Sequence, residues 1–437
     1  MEYIPNILFA VILVLGIGYF AKNIKTLIRN IKLGREVDAS DHKSERWRNM
    51  ARIALGQSKM VKRPIAGFLH IVVYIGFIII NIEVLEIIID GLFGTHRIGL
   101  KVLPESVYGF LIGAFEILAV LVLVAVVVFW LRRNVIKLKR FLSSEMKGWP
   151  KNDGNIILYF EVVLMCLFLV MNATDTTFQN LGHGNVISQF IAPWFGDNPD
   201  TLHIIELTAW WLHIVGILIF LNYLYFSKHL HILLAFPNTY FGSVEPKGKF
   251  NNLEAVTNEV KLMMDPNADP FAAAPEGAED EEPAKFGASD VMDLNQIQLL
   301  NAYTCTECGR CTSSCPANLT GKKLSPRKIM MDTRDRLEEV GKNIDANGGE
   351  FKDDGKQLLG DYITNEELWA CTTCNACVEE CPVSINPLSI ILDMRRYLVM
   401  EQSAAPMELN NMMTNIENNG APWPYNQMDR LNWVNEE

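Results

Sequence analysis

"CTECGRCTSSCP", residues 305–316, and its companion "CTTCNACVEECP", residues 371–382, decide how the second half of this 437-residue chain folds. Each has the form CxxCxxCxxxCP. A cubane iron-sulfur cluster needs four thiolates converging on a small inorganic body, and three closely spaced cysteines on a tight loop wrap three of its corners. The fourth cysteine, followed by proline, opens a new segment and is free to reach across to a second cluster. Structural zinc would need two CxxC knuckles well apart for each ion, which neither motif provides. Eight of the nine cysteines fall in these motifs. The ninth, Cys166, sits in an apolar run, where a small packed hydrophobe is expected.

Working outward, "SPRKIMMDTRDRLEEV" (325–340) looks helical and "DANGGEFKDDGK" (345–356) reads as a turn region between the motifs. The two-motif unit is expected over 286–400, with a tail at 401–437 that carries no readable motif. Ahead of it, 238–285 reads as an acidic flexible linker, "DPNADPFAAAPEGAEDEEP" having little to bury.

The first 237 residues are of another kind. They carry 22 Lys and Arg against 17 Asp and Glu, whereas 238–437 carry 17 against 33. Five apolar stretches are long enough to cross a bilayer, at about 4–28, 65–92, 105–131, 155–177 and 203–227. The first lacks a signal-peptide cleavage pattern and reads as a retained helix. Positive charge crowds 29–63 and 132–151, while 93–104 and 178–202 hold only Arg97 and Lys101. By the positive-inside rule the N-terminus lies outside and the cysteine domain in the cytoplasm of a prokaryotic inner membrane, where reduced thiols and metal ligation are the rule. The expected fold is all-α, a five-transmembrane-helix bundle of residues 1–237 followed by a cytoplasmic α-helical ferredoxin-like domain.

Histidine inside an apolar span is costly unless partnered. His42, His96, His183 and His203 fall in loops or at a helix start, leaving His70, His213, His229 and His231. Were the fifth helix continuous, the 18 residues from His213 to His231 would make five turns, about 27 Å, and put both on one face with His229 nearly opposite. His70 lies at a depth near that of His231, so the two can clamp a haem b iron from both sides. Glu83, Glu86, Glu116, Asp175 and Glu206 are candidates for exchanging the protons of a membrane quinone.

With "CTECGRCTSSCPAN" and the roughly 55-residue gap between motifs on the page, the second half resembles the C-type polypeptide of heterodisulfide reductase and its helical-ferredoxin relatives. That resemblance implies two [4Fe-4S] clusters. By the ferredoxin pattern Cys305, Cys308, Cys311 and Cys381 hold one, and Cys371, Cys374, Cys377 and Cys315 the other. It also implies a soluble partner of the CCG-motif B type bearing the catalytic site, since this chain has no such motif. The first half resembles the γ subunit of respiratory nitrate reductase, with an outer N-terminus and two stacked b haems bound by the second and fifth helices. His213 and His231 match the fifth-helix pair and His70 one of the second-helix pair. Where that pattern wants another histidine, this chain has Ile80 and Asn81, so one haem b is expected and a second only if His213 finds a trans ligand. Met171 stands at a suitable depth but reads as core.

These features point to a membrane-bound electron-transfer subunit of an oxidoreductase complex, working between the quinone pool with haem b and a soluble partner. A membrane-anchored iron-sulfur redox sensor or scaffold without turnover is the alternative. No GxGxxG loop, P-loop or triad motif is present, and the partners expected are lipid, quinone and a redox subunit, with no nucleic acid.

Overall fold

The computed structural model describes residues 3–246, 248–266 and 285–435. Among the described residues there are helices and two isolated bridges, Arg35–Asn295 and Leu359–Ile363, and no strand. Five helices are long and apolar enough to cross a membrane: Ile4–Ile31, Pro64–Phe93, Glu105–Asn134, Trp149–Thr174 and Pro199–Phe226. Proline in the first turn starts four of them, where its missing N–H costs nothing. The fifth is also capped by Asn198, whose side chain accepts from the N–H groups of Asp200 and Thr201 at 3.0 and 3.1 Å.

The spans pack side by side, the fourth against the third and fifth, the second against the third, and the first against the fifth and second. Phe115, Phe168, Ile112 and Ile214 fill the interior, while Val14, Leu15, Phe68, Phe110 and Val124 point outward. Apolar side chains on both faces are what a helix needs when one neighbour is lipid. Cys166 was expected to pack inside; it lies on the outward face of the fourth span, where a small apolar residue is equally well solvated by lipid.

The fifth span ends differently from the expectation of one helix running to His231. Regular α-helix stops at Tyr223, a 3-10 turn carries the chain to Phe226, and Ser227 is extended (φ −119°, ψ 147°). The Ser227 hydroxyl then accepts from the His229 N–H at 3.1 Å and starts a second short turn. A new helix, His231–Tyr240, follows. Serine competes for backbone donors through its own side chain, which is how the break is made. His213 and His231 therefore lie on different helices, and five regular turns do not relate them.

That new helix also changes how the expected linker of 238–285 begins. Asn238 and Thr239 are buried, and the Asn238 amide donates to the Val383 carbonyl at 2.8 Å, so 238–240 belong to the junction between the two halves. A further helix, Glu254–Met264, lies within the linker range; the most acidic part, 267–284, falls outside the described residues.

The cysteine domain is built around the helix Pro326–Ala346. The end of the first span docks on it: Arg29 pairs with Asp345 at 2.5 Å, and Asn30 donates to the Tyr303 hydroxyl at 3.0 Å. Asn30 presses on Gly341, where an added Cβ would come within 2.6 Å of its amide, so only glycine allows this approach. Deeper in the helix, Arg336 is fully buried and holds Asp290 (2.7 Å), Asp354 (2.6 Å) and the Lys356 carbonyl (2.8 Å), fastening the turn region to the start of the domain. Removing one partner of a buried charge set costs about 3–5 kcal/mol. Arg336→Met should therefore lower the urea midpoint for loss of the iron-sulfur absorbance and speed hydrogen exchange over 350–358. An unchanged midpoint would mean that the carboxylates find water.

Candidate redox centre at the junction

The two cysteine motifs fold into the same loop. The residue before and the residue after the second cysteine of each are left-handed: Glu307 (φ 52°) and Gly309 (φ 71°) in the first, Thr373 (φ 55°) and Asn375 (φ 59°) in the second. That alternation curls the chain so that three thiols face one point, and Gly and Asn are residues that tolerate it. A short helix follows each loop, Arg310–Ser313 and Ala376–Glu380, and carries the third cysteine.

Cys305, Cys308, Cys311 and Cys381 line one cavity, together with Cys377. Burial and then the neighbouring thiols, Cys371 and Cys315 foremost, push the Cys377 thiol up to about 12. Burial likewise raises Cys305 to about 12 and Cys381 to about 11, with Cys308 a further cause in each. So Cys381 sits with the first motif and Cys315 with the second. A buried set of thiolates is sustained only by a multivalent cationic body, and the all-sulfur donor set fits an iron-sulfur cluster. Backbone N–H groups of Thr373 and Ile385 point at Cys371 and Cys381 Sγ at 3.4 and 3.3 Å, an arrangement that tunes cluster potential.

The first motif faces the bundle. Lys228, 9% exposed, donates to Glu307, 3% exposed, which also accepts from Arg334 at 2.8 Å. Burial works against the Glu307 carboxylate, but Lys228 and Arg334 outweigh it and hold its pKa below the usual value. The Lys228 ammonium also donates to the Pro150 carbonyl at 2.7 Å and lies 3.6 Å from Asp153, which accepts from the Tyr223 hydroxyl at 2.6 Å. Around this pair, Arg310 of the first motif donates to the Lys59 and Met60 carbonyls at 3.1 and 3.2 Å. Lys62 and Arg63 pair with Glu379 and Glu380 at 2.5 and 3.1 Å. Glu379 and Glu380 thus bring the end of the second motif to the same loop, while its Cys374 is exposed.

The histidines converge on the same junction. The rings of His70 and His231 have centroids 6.4 Å apart, and His229 lies 5.5 Å from His231 at nearly a right angle. Two imidazoles on one metal would stand roughly 6 Å apart, two metal–nitrogen bonds of about 2 Å plus the half-width of each ring. The Nδ1–H of His231 faces the Lys228 carbonyl at 3.0 Å, leaving Nε2 as the free donor. Burial and the neighbouring imidazoles hold His229 down at about 3, and burial lowers His231, so both stay neutral as ligands must. His229, expected to face away, is beside His231 because of the break at Ser227. His213 is elsewhere: it is buried against Phe168 (6.2 Å between centroids), and its Nδ1 has no hydrogen-bond partner. Near where a further ligand was sought, Ile80 is buried, Asn81 donates back to the Phe77 carbonyl, and Met171 is core.

At the opposite end of the bundle most of the carboxylates singled out above are engaged. Glu116 accepts from Ile187 N, Ser188 N and Asn172 at 2.7, 3.1 and 3.2 Å. Glu86 accepts from Gly99 N at 2.8 Å and the Tyr108 hydroxyl at 3.1 Å. Asp175 pairs with Arg97, and His96, pushed up to about 10 by its bonds to Asp175 and Glu206, bridges those two. Glu83 alone of the five is buried with an unpartnered oxygen, Oε2.

Residues 304–385 match the 4Fe-4S dicluster domain family. Along nearly its whole length the chain is similar to the probable iron-sulfur-binding oxidoreductase FadF of Bacillus subtilis, 30% identical over 98% of this chain and 61% of that protein. It is also similar to the EtfAB:quinone oxidoreductase of Syntrophomonas wolfei, 26% identical over 92% of this chain and 55% of that one. The chain thus spans about three-fifths of the length of these relatives. The cysteine domain is similar to the C-type polypeptide of the ferredoxin/F(420)H(2)-dependent CoB-CoM heterodisulfide reductase of Methanosarcina acetivorans, 34% identical over 27% of this chain and 60% of that polypeptide. No solved structure matches. The chain therefore carries a domain of the 4Fe-4S dicluster kind, joined to a bundle of five helices long and apolar enough to cross a membrane.

The charges flanking the first motif set its potential with opposite signs, since a positive neighbour favours the reduced, more negative cluster. Lys228→Met should lower the midpoint potential of one cluster by tens of millivolts, and Glu307→Gln should raise that of the same cluster, in an EPR-monitored titration of the full chain. Equal shifts of both clusters, or none, would mean that this ion pair does not set the potential of the first motif's cluster.

Proposed function

We propose that the chain is the membrane electron-transfer subunit of a quinone-linked redox complex. It would pass electrons between a b-type haem held by His70 and His231 and a soluble catalytic partner, through two [4Fe-4S] clusters. The observation that carries this reading is the junction itself. The facing imidazoles of His70 and His231 are joined through one residue, Lys228, to Glu307 inside the first cysteine loop.

In this reading residues 1–237 are the haem-binding membrane domain and 286–400 the two-cluster domain on the cytoplasmic side. Cys305, Cys308, Cys311 and Cys381 hold the cluster nearer the bundle. Cys371, Cys374, Cys377 and Cys315 hold the outer one, beside the exposed Cys374 where a partner docks. A bound haem supplies a one-electron carrier. The protein's own part is to orient His231 through its Nδ1–H and the Lys228 carbonyl, to keep His70, His229 and His231 away from water, and to offer Glu83 as the unpaired carboxyl for quinone protons. The likeness to a relative named for quinone oxidoreduction supports the membrane end. The likeness to the C-type and D-type polypeptides of heterodisulfide reductases supports a soluble partner of that complex's kind. A single haem is the better account, because the ring His213 packs against is Phe168, and the second span carries Ile80 and Asn81 where a further histidine was sought.

Optical redox titration of the purified full chain should give a b-type α-band that His70→Ala and His231→Ala each abolish and His213→Ala leaves in place; loss of half the band in the last variant would mean two haems, and no band in wild type would end the haem assignment. Separately, Cys381→Ser should remove the cluster sensitive to Lys228 and Glu307, and Cys315→Ser the other. If each serine variant instead removes the cluster of its own motif, the crossed ligation is wrong.

A further inference from the structure

Where the second and third spans leave the apolar layer on the cysteine-domain side there is a cavity of about 390 Å³ that none of the sites above uses. Arg63, Arg132, Lys139 and Arg140 line it, with Ser313 of the first cysteine motif, and no carboxylate does. Arg63 pairs with Glu380, but Arg132, Lys139 and Arg140 have no ion pair among the described residues. The Arg140 Nε is sealed from water and has no hydrogen-bond partner. Arg63, Arg132, Lys139 and Arg140 thus gather on one cavity with the Arg63–Glu380 pair as their only ion pair among the described residues.

The backbone adds to the field. Pro64, Ile65 and Ala66, the first turn of the second span, line the cavity, and Arg63 at the N-cap makes no side-chain cap. The N–H groups of a first turn are unpaired within the helix and attract an anion. Ile65 and Leu138 supply an apolar side. A cavity with cations toward the protein, apolar residues beside them, and two span ends fixing its height suits one kind of ligand. We propose that it is a binding site for the phosphate headgroup of an anionic phospholipid.

The site bears on the redox junction. The Arg140 carbonyl accepts from Arg327 Nη1 at 2.6 Å, and a Cβ added to Gly309 would lie 3.3 Å from the Arg140 Cβ. The loop that grips the lipid therefore lies directly on the loop that follows Cys308. A bound phosphodiester would bring one negative charge to the cations beside that motif and tie its seating to the charge of the membrane.

The test uses the full chain with its clusters, reconstituted in nanodiscs of phosphatidylcholine with a minority of phosphatidylglycerol and examined by native mass spectrometry after delipidation. Wild type and an equal-charge control, K43Q/K147Q/K151Q, should each retain one phosphatidylglycerol per chain, and R132Q/K139Q/R140Q should retain at least tenfold less. R140K, which keeps the charge, should retain the lipid, and the milder R132Q/K139Q serves should the triple variant lose its cluster absorbance. Equal retention by the pocket variant and the control would overturn the site. So would displacement of the lipid by millimolar inorganic phosphate, which would make it a soluble-anion site. If the pocket variant keeps the lipid but loses b-type absorbance, the cations serve haem propionates and the lipid assignment fails while the haem reading stands.

Discussion

The junction between the two halves turns on one buried ion pair, Lys228 with Glu307. Both side chains are almost wholly out of water, and an unpaired charge there would cost several kcal/mol. Neither residue has a solvated alternative while the halves are together. Lys228 is therefore obliged to point at the first cysteine loop, and Glu307 is obliged to sit in the left-handed position that curls that loop. Buried pairs of this kind add little net stability over apolar residues of similar size, but they fix register. Here the register relates the histidine cluster to the first cysteine motif, because the Lys228 carbonyl faces the His231 Nδ1–H while its ammonium reaches that motif.

The surrounding contacts follow from the same demand. The basic loop 59–63 finds partners in the cysteine domain. Lys62 and Arg63 find Glu379 and Glu380, and Arg310 caps the carbonyls of Lys59 and Met60. Arg327, fully buried, spans from the Arg140 carbonyl to Glu145 at 2.6 and 2.7 Å. The acidic second half and the basic membrane edge thus neutralise one another at the face where the cysteine loop meets the bundle. Charge left over, at Arg132, Lys139 and Arg140, collects in one cavity where the second and third spans end.

Much of this was legible in the chain. Length and hydropathy located five spans, since a bilayer imposes one length and one polarity on every crossing. Cysteine spacing located two similar loops, since the cluster imposes its own geometry. His70 and His231 could be paired by depth alone. What could not be read was the break at Ser227, because nothing in "YFSKHLHILL" forbids a continuous helix. It depends on a hydroxyl finding the His229 N–H and on Lys228 being drawn to Glu307, a residue 79 positions away. Asn238 was hidden for the same reason: its partner, the Val383 carbonyl, is 145 positions on. The signal that was available, a lone lysine beside two histidines at the end of an apolar run, marked the place but not the geometry.

That break also separates the two histidines that stand 18 residues apart, His213 and His231. On a continuous helix, His213 and His231 would share a face, and both would need ligands from the second span. With the helix broken, His231 is carried by its own helix, anchored by Asn238, and its position owes nothing to the phase of His213. His70 can then be met from the junction while the deeper level of the second span fills with Ile80 and the Asn81 amide turns back on Phe77. His213 keeps a buried, unpartnered Nδ1 against Phe168, which costs free energy, whereas the deep polar groups of Glu116 and Asn172 are satisfied with bonds. Such an imidazole is tolerable as a neutral ring packed on an aromatic. Like the unpartnered Glu83 Oε2, it is a place in the bundle interior where a ligand would repay a cost already present.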